Sequence, residues 1–438
     1  MINYFKKLML MRAIILAAGE GKRLKPITSS LPKPMIPLAG KPLLEHTILG
    51  LKDAGINNIL LIVGYKQDII KDYFGKGLNK FNIKIEYKTQ DEYLGTAHAT
   101  NYAKDFIKGD PFLMMYGDLL VDPSIFKEVL QKFNQSKPEG LISLLEVGNP
   151  EDYGIISLNS DGFVEKITEK PSPELNLGNL ANAGIYVFKP IIFEAIEKTE
   201  KSIRDEYEFT DSMDILINKL NGNIVGYTIK DRFWSDIGLP WQLLDANKYL
   251  LEQMKGRILA KLEKNVSISG NVFVGKDTII HSGSYIQGPC YIGENNIIGP
   301  NAFIRPDTSI GNNCHIGISE IKNSIILSNT NIPHFNYIGD SIICENVNLG
   351  AGTKVANLRL DEKNVKMNIK GQLIDSGSQK LGSIIGPNVK IGINVSIMTG
   401  KKIGENSIIG AQTFVSEDVP PDTLYYQDPN KGIIRTKK

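Results

Sequence analysis

Cysteine is scarce, with three in 438 residues: Cys290, Cys314 and Cys344. An odd count without metal-ligand spacing excludes a disulfide framework and a cysteine-based metal site, and the thiols read as reduced, as in a cytoplasmic protein. No apolar run approaches the ~18 residues of a membrane span. Neither sign of charge is in excess: 50 Lys+Arg stand against 48 Asp+Glu, a net charge of +2. Nothing therefore marks the whole chain as a nucleic-acid binder or an acidic buffer, and small molecules are the expected ligands. The first ten residues, Met1 to Leu10, contain two lysines and a few apolar side chains but no small-residue cleavage site. They make a poor signal peptide, and since the strand-like pattern begins at Met11 they read as a dispensable lead.

Residues that are 42% hydrophobic and 22% charged can bury a large core, which excludes disorder and a collagen-like fibre. At roughly 150 residues per domain the length suits about three domains, or one large domain and a repeat array. Residues 12–240 alternate short apolar strands with helical stretches. Ala13–Ala18 has a buried-strand pattern running into a glycine loop, Pro42–Ala54 reads as a helix, and Asn58–Val63 and Phe112–Tyr116 read as strands. That alternation predicts an α/β domain with a mostly parallel sheet, whose substrates sit at the strands' carboxyl ends. Trp241–Lys255 has helical spacing and reads as a connector.

From Ile268 the period changes. Aliphatic residues recur every six positions at Ile268, Val274, Ile280, Ile286, Ile292, Ile298, Ile304, Ile310 and Ile316, and again from Ile385 through Ile391, Ile397, Ile403 and Ile409 to Val415. Glycine follows directly at 275, 293, 299, 311, 317, 386, 392, 404 and 410. A six-residue period is the signature of a parallel β-helix: the aliphatic residue stacks inward on its equivalent one coil later, and glycine is expected to permit the turn. A β-sandwich would show period two instead. Residues 318–384 break phase and hold a dense polar set, which predicts a loop extruded from the solenoid and carrying chemistry.

The strand Ala13–Ala18 leads into Gly19-Glu-Gly21-Lys-Arg23-Leu-Lys-Pro26 and then Leu31-Pro-Lys33-Pro-Met-Ile-Pro37. Glycines at a strand end let backbone N–H groups approach phosphate, and Arg23 and Lys33 supply charge. A dinucleotide fingerprint would need glycine at Leu24 and a P-loop would need Ser or Thr at Arg23, so on the glycines alone a phosphate loop and a plain strand–helix turn both stay open. The wider string resembles the sugar-1-phosphate nucleotidylyltransferases. Further matches are Gln90 with Leu94-Gly-Thr-Ala-His-Ala99, Tyr116-Gly-Asp118, Asp152-Tyr-Gly154, Glu169-Lys-Pro171, Asn182-Ala-Gly184 and Trp234-Ser-Asp236. Lys22, where many members carry Thr or Ser, is a mild departure. The resemblance implies attack of a sugar phosphate on the α-phosphorus of a nucleoside triphosphate such as UTP. By it, Arg23 and Lys33 are catalytic, and Asp118 and Asp236 hold Mg²⁺. Leu16, Ala18, Gly19, Gly21, Gln90, Gly95, Thr96, Gly154, Glu169, Lys170 and Asn182 surround nucleotide, sugar and phosphate.

The interrupted segment carries a second set: Ile304-Arg-Pro306, Glu320-Ile-Lys322, His334-Phe-Asn-Tyr337-Ile-Gly-Asp340, Asn348-Leu-Gly-Ala-Gly-Thr353 and Asn357. These strings resemble the acetyltransferase half of the bifunctional N-acetylglucosamine-1-phosphate uridylyltransferases, whose β-helix is left-handed. The resemblance implies acetyl-CoA as co-substrate and His334 as the base taking a proton from a sugar amine. Arg305, Lys322, Tyr337, Asn348 and Asn357 are implied around the sugar phosphate, with Ala351 near the thioester. Bacterial members have Tyr where Leu358 stands. The run Asn357 to Lys366 instead resembles the archaeal branch, in which Lys363 and Lys366 belong to the site and galactosamine 1-phosphate becomes an acceptor beside glucosamine 1-phosphate.

The resulting expectation is a Rossmann-like nucleotidyltransferase domain (11–240), a helical linker (241–262), a left-handed β-helix (263–423) and a C-terminal tail (424–438). Assembly is expected as a homotrimer or dimer of trimers, neighbouring chains completing each acyl site. One rival is a thymidylyl- or guanylyltransferase whose β-helix is a trimerisation stalk. Another is a regulatory binding protein with a decayed transferase domain, which the charged residues Arg23, Lys33, Asp118 and Asp236 argue against.

Overall fold

The apolar run after Met11 forms the strand Arg12–Ala17, the centre of a nine-stranded sheet. The computed structural model describes residues 11–169, 171–172, 177–428 and 430–437; the expected lead 1–10 and Lys170 lie outside the described residues. By contacts the chain divides into two units, one joining the chain up to Glu20 with Leu44–Asp236, the other joining Gly21–Leu43 with Ile237–Lys438.

In the first unit Arg12–Ala17 lies parallel to both Asn58–Val63 and Phe112–Tyr116, with Leu16 opposite Ile62 and Tyr116. Lys84–Thr89 adds a further parallel strand, while Leu180–Phe188 pairs antiparallel to Phe112–Tyr116 and carries the sheet on. Ile14, Ile15, Leu60, Leu61 and Ile62 are buried, as expected of parallel strands covered on both faces. Three carboxyl ends are tied together: the backbone N–H of Gly117 donates to Leu16 O at 2.8 Å, that of Tyr65 to Ala18 O at 3.0 Å, and that of Gln90 to Val63 O at 2.8 Å.

The second unit is a left-handed parallel β-helix of hexapeptide repeats. Its coils pair residues three sides apart, Ile280 with Ile298 and Ile298 with Ile316. Val274, Ile280, Ile286, Ile292, Ile298, Ile304, Ile310 and Ile316 stack in three columns, one per side, that share one buried core, each residue contributing about 1.5–3 kcal/mol by leaving water. Except at Gly299, which is left-handed (φ 94°), the repeat glycines do a different job from the one expected. Gly275, Gly293, Gly311 and Gly386 have no left-handed backbone; the turn is made two residues later by Asp277, Asn295, Asn313 and Asn388, all at positive φ. Asn and Asp tolerate that region through their short polar side chains. Glycine is required because coils approach too closely for a side chain: a Cβ at Gly275 would lie 2.7 Å from the Gly293 backbone, and one at Gly317 would lie 1.9 Å from Pro333 O.

The phase break is also smaller than expected. The inward columns continue through Ile321, Ile326, Ile332, Ile338, Ile343, Leu349 and Val355. Three of these sides are one residue short, which shifts the phase without ending the coil. His334 therefore sits on the strand Asn331–Gly339 of the solenoid rather than on an extruded loop. The chain leaves only after Val355 and rejoins at Ile384–Ile385, which pairs with Ile342–Ile343. The excursion between contains a hairpin, Lys366–Ile369 against Gln372–Asp375.

The boundaries move for similar reasons. The helix Pro240–Gln253 ends before the first coil strands, Arg257–Ile258 and Lys261–Leu262, which pair with the coil above. The expected linker thus already holds part of the solenoid. The expected C-terminal tail holds a strand pair, Thr423–Asp428 antiparallel to Gly432–Lys437. Residues 21–43, expected within the α/β domain, pack in the solenoid's unit. Ala39 N donates to Asn247 Oδ1 at 2.9 Å, and Asn247 is also hydrogen-bonded to Ser309 Oγ and Asp307 O.

Candidate active sites

In the α/β unit the predicted residues gather at the carboxyl ends of the strands. Asp118 follows Phe112–Tyr116, and the short strand Trp234–Asp236 pairs antiparallel with Leu119–Val121, setting Asp236 opposite Leu119. Two carboxylates thus reach the same strand end. Gln90 is buried beyond Val63, and Thr96 Oγ1 accepts from Phe209 N at 2.9 Å. Gly95 lies against Tyr207, whose carbonyl oxygen would be 2.5 Å from any Cβ there. Gly154 is opposite Glu169 in the register, and a Cβ on it would come 2.7 Å from Glu169 Oε2 and 3.9 Å from the Asn182 Cβ. Glu169 is held by Arg204 at 3.3 Å, and Asn182 Oδ1 accepts from Gly184 N at 3.0 Å. Tyr116, which sequence reasoning left without a role, sits among these groups. Burial raises its phenol to about 12, with the charges of Glu169 and Asp118 adding to the shift.

The segment 21–43 carries Gly21, Arg23 and Lys33. Gly21 is left-handed (φ 69°), and its carbonyl accepts from Thr28 Oγ1 at 3.0 Å. A Cβ at Gly21 would press on Lys33 at 3.2 Å, so the glycine makes room for that lysine, which is only 8% exposed. Arg23 packs on Gly238, its Nη2 lying 2.7 Å from where a Cβ would stand.

On the β-helix, one outward ladder runs Phe303, Glu320, Tyr337, Lys354, Ser396 and Phe414 across successive coils. Arg305 Nη1 bonds Glu320 Oε1 at 2.7 Å. The buried Asp340 accepts from Asn323 Nδ2 at 2.7 Å and from Asn357 Nδ2, and has Lys322 Nζ at 3.6 Å. Tyr337 OH donates to Asn357 Oδ1 at 3.5 Å. Burial, then the charges of Asp340 and Glu320, raise the Tyr337 phenol above its ordinary value. Lys322, Tyr337 and Asn357 are thus connected through Asp340, and the Arg305–Glu320 pair lies beside them, Glu320 being opposite Tyr337 in the register.

The other predicted residues lie apart from this group within one chain. His334 is exposed at the bend between two sides, its backbone opposite Ile318; it stands near His315, whose pKa burial lowers first and His334 next. Asn348 is on a neighbouring side between Asn331 and Lys390, and Ala351 O accepts from Asn394 N at 2.7 Å. Lys363 and Lys366 line a cavity of about 590 Å³ in the excursion together with Arg359, Glu362 and Asp375.

Known proteins carry the same pairing of units. A family described as Nucleotidyl transferase matches residues 12–253, GMPPB C-terminal domain matches 286–374, and Bacterial transferase hexapeptide (six repeats) matches 382–417. The chain is 46% identical to the Bifunctional protein GlmU of Methanococcus maripaludis, over 98% of this chain and 100% of that one. It is 42% identical to the Bifunctional sugar-1-phosphate nucleotidylyltransferase/acetyltransferase of Sulfurisphaera tokodaii, over 93% and 98%. The chain belongs to this family of bifunctional transferases. A solved UDP-glucose pyrophosphorylase complexed with UDP-glucose shares its fold with part of this chain (TM-score 0.50, 24% identity, 56% of this chain and 99% of that one).

Within a bifunctional transferase, Asp340 and Tyr116 are the residues that sequence reasoning passed over. Both stood inside quoted strings, Tyr337-Ile-Gly-Asp340 and Tyr116-Gly-Asp118, but neither has a spacing that sets it apart. Burial among charged neighbours is what distinguishes them. Among the described residues no helix is long and apolar enough to cross a membrane.

Proposed function

We propose that the β-helix unit transfers the acetyl group of acetyl-CoA to the amine of glucosamine 1-phosphate. The α/β unit then transfers uridylyl from UTP to the N-acetylated product, releasing pyrophosphate. The observation that carries this reading is the Arg305–Glu320 and Lys322–Asp340–Asn357–Tyr337 cluster on the solenoid's outer face. Cations beside hydroxyl and amide groups suit a sugar phosphate, and a stalk that only assembles chains has no use for them.

In acetyl transfer, Arg305 and Lys322 bind the phosphate, and Tyr337, Asn348 and Asn357 orient the sugar. His334 accepts the amine proton as nitrogen attacks the thioester carbonyl near Ala351 and the thiolate of CoA leaves. A neutral imidazole suits that task near pH 7. Lys363 and Lys366, in a cavity also lined by Glu362 and Asp375, suit anionic groups of either substrate. The exposed apolar side chains Phe335, Leu358, Leu360, Leu373 and Phe414 support a site completed by neighbouring chains in a trimer.

In uridylyl transfer, Arg23 and Lys33 are the triphosphate's cationic clamp. Gln90, Gly95 and Thr96 face the base, and Gly154, Glu169 and Asn182 surround the sugar. The donor set fits Mg²⁺: Asp118 and Asp236, on neighbouring strand ends, would supply two hard oxygen ligands. Two carboxylates suit an ion that keeps waters and takes phosphate oxygens. Bound there, Mg²⁺ would neutralise phosphate charge during in-line displacement. Buried cysteines with protonated thiols are consistent with a cytoplasmic enzyme.

The test is product identification by mass after incubation with UTP or dTTP and a panel of sugar 1-phosphates, with and without acetyl-CoA. UDP-N-acetylglucosamine formed from glucosamine 1-phosphate, dependent on acetyl-CoA, is expected. Nucleotidyl transfer with no acetylation of any amino-sugar phosphate would overturn the reading of the β-helix.

A further inference from the structure

The corners of the solenoid are joined by side-chain ladders, and one of them differs in polarity from its counterpart. In the ladder Asn346, Asn388, Asn406, Asp422, every amide donates in the same direction: Asn346 Nδ2 to Asn388 Oδ1 at 3.1 Å, Asn388 Nδ2 to Asn406 Oδ1 at 3.0 Å, Asn406 Nδ2 to Asp422 Oδ1 at 2.8 Å. Such a ladder is satisfied by amides alone until its last member. In the ladder Asn323, Asp340, Asn357 the middle residue is an acid, and both neighbours donate inward to it. Lys322 Nζ approaches the same carboxylate at 3.6 Å. All three partners are donors, so the carboxylate accepts on both oxygens, and Asp340 is only 3% exposed.

The consequence falls on Asn357. An amide side chain can present either its oxygen or its NH₂ to a ligand, and its partners decide which. Asp340 has nothing to donate, so Asn357 must turn Nδ2 inward, leaving Oδ1 on the side of Tyr337 OH. Resting on the acetyl-transfer reading of this cluster, we infer that Asp340 is a positioning residue that fixes the polarity of Asn357. It makes Asn357 a hydrogen-bond acceptor for an N–H or O–H of the amino-sugar phosphate, and the same carboxylate steadies Lys322.

The counterpart ladder supplies the test. In Asp340→Asn an all-amide ladder becomes possible, with Asn323 donating to the new amide oxygen and the new NH₂ donating to Asn357 Oδ1. The corner backbone at residue 340 (φ 50°) suits Asn as well as Asp. Fold and uridylyl transfer are therefore expected to persist while Asn357 reverses, presenting NH₂ to the substrate. A site built around one hydrogen-bond polarity loses roughly 10²-fold or more when a buried polar group is mispaired. A fall of about that size in kcat/KM for acetyl transfer is expected, with a changed preference between glucosamine and galactosamine phosphates.

The exchanged pair Asp340→Asn with Asn357→Asp should recover at least about ten-fold of the loss. The amide at 340 then donates to the carboxylate at 357, whose second oxygen again faces the substrate. A purely structural Asp340 predicts no such recovery. Wild-type acetyl transfer in folded Asp340→Asn, or an exchanged pair no better than the single variant, would overturn the inference. Should the single variant not fold, the exchanged pair decides alone. Folded and within about 30-fold of wild type it supports the inference, and folded but inactive it refutes it. A wild-type chain unable to acetylate any amino-sugar phosphate would instead sink the acetyl-transfer reading itself.

Discussion

Adding one methyl group at Gly339 is expected to disable acetyl transfer while leaving the fold standing. Gly339 has no left-handed backbone, so alanine meets no conformational strain there. Its Cβ would nevertheless stand 2.7 Å from Asn357 Nδ2, 2.8 Å from Tyr337 OH and 3.0 Å from Asn357 Cγ. Ordinary contact begins near 3.4 Å. Asn357 and Tyr337 must therefore retreat by about 0.6–0.7 Å, and Asn357 is tethered to Asp340 as it does so. A misplacement approaching 1 Å can cost about 10²-fold in rate, so Gly339→Ala should lower kcat/KM for acetylation by about 10–10²-fold. Overpacking should cost about 1–3 kcal/mol of stability, far short of unfolding a column of this length. Thiol release from acetyl-CoA measures the first quantity and thermal unfolding the second. Gly148→Ala, where nothing lies within 4 Å of the new Cβ, serves as the matched control. A folded Gly339→Ala enzyme acetylating at the wild-type rate would show that the placement of Asn357 and Tyr337 is irrelevant to the reaction.

Three further outcomes are expected. His334→Ala should lower acetyl transfer by about 10²–10⁴-fold, least at high pH where the substrate amine is already free, and spare uridylyl transfer; a flat, wild-type pH profile would remove His334 from the mechanism. Lys33→Ala and Asp118→Ala should abolish nucleotidyl transfer while acetylation stays near wild type, and Mg²⁺ dependence should belong to the first activity alone; joint loss in a folded variant would refute the two-site assignment. Burial raises the thiols of Cys290 to about 12 and Cys314 to about 11, and that of Cys344 well above its ordinary value, so thiolate is negligible at pH 8. Iodoacetamide at pH 8 should accordingly label none of the three in native protein and all three in denaturant, as counted by intact mass.

The parts of the fold that repeat were legible. Ile280, Ile298 and Ile316 recur at a spacing that only a stacked coil satisfies, and the strands Asn58–Val63 and Phe112–Tyr116 occur where their apolar runs predict them. The phase break was legible as a break but not as a coil. Losing one residue between Ile316 and Ile321, and again before Ile326, destroys the sequence period, while the inward stack tolerates a five-residue side. Leu262 is in phase with Ile268, but its own coil has no neighbour below, so it is exposed and the period is lost among polar residues. The roles of glycine and asparagine were exchanged for a physical reason: sequence shows that glycine recurs, not whether φ or the space for a Cβ requires it. In the candidate sites, Arg305, Lys322, Tyr337 and Asn357 were legible as residues, and the carboxylate joining Lys322 to Asn357 was not.

The same asparagine chemistry serves scaffold and site. A corner residue in the left-handed region points a short polar side chain along the stack, and in the interior of the solenoid the corner above satisfies it. Beyond Asp340 the next member of the column is Asn357, two residues past the last strand before the excursion. The returning chain is pinned to these two residues, Leu381 N donating to Asn357 O at 2.9 Å and Gly382 N to Asp340 O at 2.8 Å. The excursion thus leaves and rejoins the solenoid at one corner. It is held there through backbone groups, so the Asn357 side chain is not consumed in closing the next coil. A polar group that elsewhere completes the ladder is left with an oxygen that takes only a long bond from Tyr337 OH and keeps a second lone pair to offer. Recognition at this corner follows from interrupting the ladder, which at Asn346, Asn388, Asn406 and Asp422 is satisfied within itself, and an acid at position 340 determines which atom the interruption exposes.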